Sequence, residues 1–233
     1  MRGETRPAAI ITGAGRGIGR AAALALSRRS YDVVLVSRTE DELLDTALRT
    51  TTANEQVVAD VADPVALRQI IDRALFRFGR IDALVHCAGI APMRPIEKTD
   101  FAIFNKVIAV NLTAAFALAQ LAWPHLKKQG GTIVNVSSLA AVDPFAGSSA
   151  YAAAKAGLEG LTRALAKDGA EHGIRAVAVA PGGVETAMFR ALPRKARVPS
   201  KSLLSPDDVA SVIAGCITSP LRYASGETIR LRK

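Results

Sequence analysis

The chain of 233 residues reads as an α/β protein: a doubly wound parallel sheet of about seven strands with helices on both faces. Two patterns carry that expectation. Short runs rich in Val, Ile and Ala alternate with longer helix-period segments from one end to the other, as in a chain of β-α-β units. Those short runs show no polar alternation, so the strands are buried on both faces, as in a parallel sheet between helical layers. No internal repeat, low-complexity tract or linker divides residues 1–233. The length suits a single domain with a sizeable core.

The elements follow in order. "AAIIT" (8–12) is the first strand, and residues 17–29 form the first helix, preceded by glycine. "DVVLVS" (32–37) is the second strand and "EDELLDTALRT" (40–50) the second helix. "QVVA" (56–59) is a third strand ended by Asp60. Pro64 then opens a helix that Gly79 closes, the usual asymmetry of helix ends. "DALVHCAG" (82–89) is a fourth strand running into glycine. Asp100 is placed to cap a long helix over about 101–127. "GTIVNVSS" (131–138) is the fifth strand, followed by a helix from 148 to about His172. "GIRAVAVA" (173–180) is the sixth, stopped by Pro181. A polar, Pro-containing loop covers about 182–205. Ser205 and Pro206 start a helix to 217 as cap and first helical residue, and "GETIRL" (226–231) is a last short strand.

The composition excludes more than it selects. Hydrophobic residues make up 49% and charged residues 22%, which argues against disorder. The net charge of +9 is spread along the chain, with a small cluster at 190–197. With aromatics at 5% there is no base-stacking set, so a solvated basic surface is a better reading than nucleic-acid binding. Cys87 and Cys216 each sit in an apolar run and read as buried free thiols. His86, His125 and His172 are scattered, so no metal site is expected. Asn111, Thr113 and Gln120 break the longest apolar candidate for a membrane span, and no secretory leader is visible. A cytoplasmic protein is the expectation.

"ITGAGRGIGRAAALAL" (11–26) follows the first strand and opens the first helix, with Gly13, Gly17 and Gly19 spaced as T-G-x-x-x-G-x-G around Arg16 and Ile18. Glycines let the backbone turn sharply and approach a pyrophosphate, and the helix N-terminus offers N–H groups and a positive dipole end. The same glycines also serve helix–strand packing, but in this strand–loop–helix–strand setting they point to a Rossmann-type dinucleotide site. Their spacing resembles the short-chain dehydrogenase/reductase family, and the resemblance covers nearly the whole chain. It implies an NAD(P)-dependent oxidoreductase.

At the end of the second strand, where a carboxylate would select NAD, stands Ser37, followed by Arg38; Arg16 in the glycine loop can reach the same place. Two guanidiniums and a hydroxyl suit a dianionic 2′-phosphate, so NADP(H) is expected over NAD(H). Taken singly, either arginine is an ordinary solvated residue. The resemblance further implies that Asp60 bonds the adenine amino group and Val61 packs on the ring, although an Asp after a strand is more often a turn or cap. It implies that Ala88 and Gly89 let the cofactor pass. It implies that "PGGVET" binds the cofactor through Pro181, Gly182, Val184 and Thr186, with the Val184 backbone and the Thr186 hydroxyl holding the nicotinamide carboxamide. "HCAG" (86–89) departs from the family's N-N-A-G, and His86 is read as structural.

Carbonyl reduction needs a proton donor whose pKa approaches neutrality. Tyr151 and Lys155, four apart on one helix face, supply a phenol and a cation that favours its phenolate; an oxidised nicotinamide adds more positive charge. Ser138, thirteen residues before Tyr151, stands where the family holds the substrate oxygen, with Ser137 expected to face the other way. Asn111 is a poor helix former inside a long predicted helix. In the family this Asn binds a water that passes protons to the lysine, often through a helix distortion. A lone Y-x-x-x-K is common by chance; Asn111, Ser138, Tyr151 and Lys155 together, each on its expected element, are not.

The resemblance is strongest to 3-oxoacyl-acyl-carrier-protein reductases, in the glycine loop, "VNLTAAF" and "SGETI". It implies an NADPH-dependent carbonyl reductase, for which a substrate on an acidic carrier protein is one option and ketones, quinones, steroids or sugars are others. Met188, Phe189 and Leu192 in the 187–205 loop would cover the substrate. A non-catalytic NADPH sensor or scaffold is the competing class. A homotetramer or dimer built on the helices near 101–127 and 148–172 is expected, with the other family contact in doubt because the residues after "SGETI" depart from the D-G-G pattern.

Overall fold

The structure is a computed structural model that describes residues 6–192, 198–218, 221 and 223–233. Seven strands form one sheet: β1 (Ala8–Thr12), β2 (Asp32–Ser37), β3 (Asn54–Val58), β4 (Ala83–His86), β5 (Gly131–Val136), β6 (Ile174–Pro181) and β7 (Thr228–Leu231). Their spatial order is β3-β2-β1-β4-β5-β6-β7, and every pairing is parallel. The strand order reverses between β1 and β4. In such sheets the crevice at the carboxyl ends beside this switch point takes the ligand.

Successive side chains of each strand point to opposite faces, and each face has its own core. Ala9 and Ile11 of β1, with Val33 and Leu35 of β2, pack against α1 (Gly17–Ser27), Leu43 and Ala47 of α2 (Glu40–Ala47), and α8 (Pro206–Ile217). Ile10 and Val34, from the same strands, face α3 (Pro64–Phe78), α5 (Ala114–Leu126) and part of α6 (Ser149–Gly169).

Several helix ends are written locally. The Asp63 carboxylate accepts from Val65 N–H, Pro64 takes the first turn and Gly79 ends α3. Asp100 caps α4 (Phe101–Ile108) through Ile103 N–H. Ser205 and Asp208 form a reciprocal capping box at the start of α8, an arrangement that satisfies two otherwise unpaired donors.

Other boundaries differ from the sequence expectation. The first helix ends at Ser27 and the second at Ala47, each two or three residues early, and β3 starts at Asn54. The helix expected over 101–127 is not continuous α-helix: α4 passes into a π-helical turn, Ala109–Thr113, before α5. The 182–205 loop contains a short helix, α7 (Ala187–Arg190), and a 3-10 turn at Ser200–Ser202. Positions 193–197 of its basic cluster lie outside the described residues.

The reading that polar residues disqualify every membrane-length run needs correction. By length and composition, the 26-residue span Phe101–Leu126 is apolar enough to cross a membrane. In this fold that span forms part of a layer beside the sheet, with Val110, Ala114, Leu118, Ala119, Ala122 and Leu126 in the core. Asn111 is buried within it.

Candidate active site

The carboxyl ends of the central strands open onto one cavity of about 950 Å³. It brings together every candidate catalytic and cofactor-binding residue named in the sequence. Its lining includes Gly13, Arg16, Gly17, Ile18 and Gly19 of the glycine loop, Ser37, Arg38, Asp60 and Val61 after the second and third strands, and Ala88 and Gly89 after the fourth. Asn111, Ser138, Tyr151 and Lys155 line it too, with Pro181, Gly182, Val184 and Thr186.

The glycine loop has the shape its sequence requires. Gly13 (φ +69°) and Gly17 (φ +55°) sit in the left-handed region, which side chains disfavour. A methyl group at Gly19 would lie 2.1 Å from the Gly13 carbonyl oxygen, and one at Gly13 would lie 2.9 Å from Ala88 N. The loop is thus closed against β4 and leaves its backbone facing the cavity. No side chain caps the N-terminus of α1. A cradle of this shape, with unpaired helix N–H groups, fits a pyrophosphate.

At the other end of the cavity, Tyr151 and Lys155 lie one turn apart on α6, with the Lys155 Nζ 5.7 Å from the centre of the Tyr151 ring. The ammonium donates to the Val136 carbonyl oxygen at 2.6 Å. Burial holds Lys155 down to about 8. The expected lowering of the Tyr151 pKa by Lys155 is not what the protein alone produces. Burial raises the phenol above its ordinary value, and a hydrogen bond with Ser138 offsets only part of this. Desolvation disfavours phenolate and ammonium alike.

Asn111 occupies the π-helical turn. Its amide nitrogen donates to the carbonyl oxygens of Ile90 and Val107, both at 2.9 Å. Its Oδ1 is buried without a partner among the described residues. A methyl group at Gly89 would meet Asn111 Oδ1 at 2.7 Å and Lys155 Nζ at 3.8 Å, so acceptor and ammonium converge on one point. The Ser138 hydroxyl accepts from Ala140 N–H at 3.2 Å. Ser137 points away, as the strand period requires, and donates to Glu159 Oε1 at 2.9 Å. Thr186 has local duties as well: its hydroxyl donates to the Val184 carbonyl and accepts from Phe189 N–H at the start of α7.

His86 is fully buried and braces the strand ends. The Val110 carbonyl can only accept, so His86 Nε2 donates to it at 3.2 Å. Nδ1 is then the acceptor for the Thr12 hydroxyl at 3.2 Å. Thr12 Oγ1 in turn accepts from Ala88 N–H at 3.1 Å. This relay needs a neutral imidazole, and burial beside the Lys155 charge holds the pKa down to about 3. Cys87 is only half-buried and lines the cavity, unlike the buried Cys216; burial pushes its thiol up to about 12.

The expected phosphate-binding end holds two acids beside its arginines: Asp60, expected at the adenine, and Glu42, which the sequence reading passed over. Glu42 Oε1 lies 3.3 Å from Arg16 Nη1, and Asp60 Oδ2 lies 3.9 Å from Arg38 Nη1. Asp60 also accepts from Ala62 N–H in a local turn. Only the glycine at position 15 hints at Glu42 in the sequence, because the approach of α2 to the loop is a tertiary contact.

Comparison with known proteins agrees with this geometry. The family described as short chain dehydrogenase matches residues 7–197. The 3-oxoacyl-[acyl-carrier-protein] reductase of Thermotoga maritima is 34% identical over 230 residues, covering 94% of each chain. The cis-4-hydroxycyclohexanecarboxylate dehydrogenase of Sinomonas cyclohexanicum is 38% identical, covering 94% of this chain and 92% of its own. Among solved structures, the 3-ketoacyl-(acyl-carrier-protein) reductase of Brucella melitensis, complexed with NADH, superposes with a TM-score of 0.91 at 29% identity, over 97% of this chain and 96% of its own. With a family match across most of its length and relatives that share sequence, sheet and span, the chain belongs to the short-chain dehydrogenase family.

Proposed function

We propose that this oxidoreductase reduces a carbonyl to an alcohol, reversibly, with NADPH as the hydride source and a 3-oxoacyl thioester as the substrate. The observation that carries the reading is that one cavity is lined by Ser138, Tyr151, Lys155 and Asn111, whose Oδ1 has no partner among the described residues, and by the glycine cradle. The likeness to acyl-carrier-protein reductases supports the thioester, and the net charge of +9 suits an acidic carrier. The apolar lining from Phe145, Met188, Phe189 and Leu203 suits an acyl chain.

The chain's own groups divide the work. Gly13, Gly17 and Gly19 hold the pyrophosphate, Arg16, Ser37 and Arg38 the 2′-phosphate, and Asp60 and Val61 the adenine. Ala88 and Gly89 let the dinucleotide pass, and Pro181, Gly182, Val184 and Thr186 hold the carboxamide end. NADPH supplies the hydride when bound. Ser138 donates a hydrogen bond to the substrate oxygen, and Tyr151 delivers the proton. Lys155, brought nearer the phenol, favours the phenolate left behind. Asn111 Oδ1 seats the water that returns a proton through Lys155. The protein is proposed to work in the cytoplasm as a homotetramer.

The test is NADPH oxidation with acetoacetyl thioesters. Tyr151→Phe is expected to lower kcat by about 10²–10⁴-fold, the usual worth of a positioned acid, with NADPH still bound. A variant as active as the parent would sink the proton-donor assignment. A second reading is favoured by the 38% identity to a dehydrogenase of a hydroxycyclohexanecarboxylate: a small cyclic keto acid. Turnover of 4-oxocyclohexanecarboxylate without turnover of thioesters would select it.

A further inference from the structure

We propose that Glu42 sets how strongly this chain distinguishes NADPH from NADH, by competing with a 2′-phosphate for Arg16. The inference rests on the cofactor site assigned above, and only for where the adenosine ribose lies.

Glu42 is the third residue of α2, yet its carboxylate reaches the glycine loop. It lies 3.3 Å from Arg16 Nη1, and its side chain is 30% exposed. A methyl group at Gly15 would meet Glu42 Cβ at 2.9 Å, Glu42 Oε2 at 3.0 Å and Ser37 Oγ at 2.9 Å. The carboxylate and the Ser37 hydroxyl therefore flank one point of the loop, and they can do so because residue 15 has no side chain. The acid that many NAD enzymes place at the end of the second strand thus arrives here from the following helix.

The consequence is electrostatic. A 2′-phosphate must share Arg16 with Glu42, and it then sits beside a carboxylate of like charge. A ribose 2′-hydroxyl meets no such obstacle and can donate to the carboxylate. Arg38 faces Asp60 at 3.9 Å, so the second guanidinium also has an acidic neighbour. Arg20 cannot replace Arg16, since its guanidinium is engaged by the Gly15 carbonyl and by Asp45. Glu42 therefore narrows the preference that two arginines alone would give, and the chain accepts both cofactors.

Glu42→Gln keeps the shape and removes the charge. Fluorescence titration of NADPH and NADH, on the intact protein at fixed ionic strength, is expected to show the ratio Kd(NADH)/Kd(NADPH) rising about tenfold in the variant, as for removal of one nearby like charge. Adenosine 2′,5′-bisphosphate, read against 5′-AMP by displacement, should gain by a similar factor. An unchanged ratio in folded Glu42→Gln overturns the proposal, whichever cofactor the parent prefers. A parent that binds NADH more tightly, with the ratio still raised by Glu42→Gln, removes the NADP(H) reading and leaves the role of Glu42 standing.

Discussion

Lys155 shows how the site stores a cost at a single residue. It is 4% exposed and held from 10.5 down to about 8 by burial. The unfolded chain therefore binds more protons than the native one between pH 8 and 10.5, so stability rises with pH across that window, and the penalty is fully present below it. Its size at neutral pH is roughly 3 kcal/mol. Lys155→Met removes the charge but also the bond to the Val136 carbonyl, which offsets about 1 kcal/mol. The variant is expected to be more stable than the parent by about 1–3 kcal/mol in urea at pH 7, to lose that advantage near pH 10.5, and to be inactive. A Met variant no more stable than the parent at pH 7 would show that the buried ammonium carries no such penalty. The phenol behaves consistently with this: its partner on α6 is 5.7 Å from the ring, and burial governs both groups before any ligand charge is added.

At the scale of elements, the legible parts of the fold are those whose signals are local. The helices bounded by Asp63-Pro64 and Gly79, and by Ser205-Pro206 with Asp208, begin where their capping residues stand. The four polar residues of the candidate site were legible because pattern located the strand ends and helices that carry them, and the resemblance to a family told which polar residue on each to choose. The break in the long helix was legible only in part: Asn111 is a poor helix former and the resemblance implied a distortion there, but nothing local in "AVNLT" sets its form as a π-turn. Part of what holds it is distant, because the Val110 carbonyl is taken by His86 from β4, 24 residues earlier. Glu42 was missed for the same reason, as its partner Arg16 lies on another element. The brace can be tested directly. His86→Ala strands the Val110 carbonyl and the Thr12 hydroxyl in a dry interior, and each unpaired group costs about 1–3 kcal/mol. A loss of about 2–4 kcal/mol in urea unfolding is expected; a loss below about 0.5 kcal/mol would mean the relay carries no load. His86 should contribute no inflection to the pH–rate profile near 6.5, because its neutral form persists down to about 3.

At the scale of the whole molecule, the outer face of the helical layer is the part least accounted for by one chain. Phe101 is 84% exposed and Phe116 50%. Phe116, Trp123, Pro124 and Leu165, with Gln120 and Asp168, line a mostly apolar groove of about 300 Å³ between α5 and α6. Solitary exposed apolar residues are ordinary, but an apolar groove on a layer that is otherwise core on its inner side is the usual mark of an interface. A second copy related by a twofold axis would present the same face to it, which is the proposed route to the tetramer. Such an assembly would tie oligomerisation to chemistry, because α6 carries Tyr151 and Lys155 into the cavity lining, and α5 continues directly from the π-turn that holds Asn111. Phe116→Glu places a charge in the groove without touching the cavity lining. It is expected to lower the mass found by light scattering from that of a tetramer to that of a dimer, leave the monomer fold intact by circular dichroism, and reduce kcat more than cofactor affinity, since the helices carrying the proton donor lose their outer support. A parent that is monomeric at micromolar concentration, or a variant with the parent's mass, would show that this face is not where copies of the chain meet.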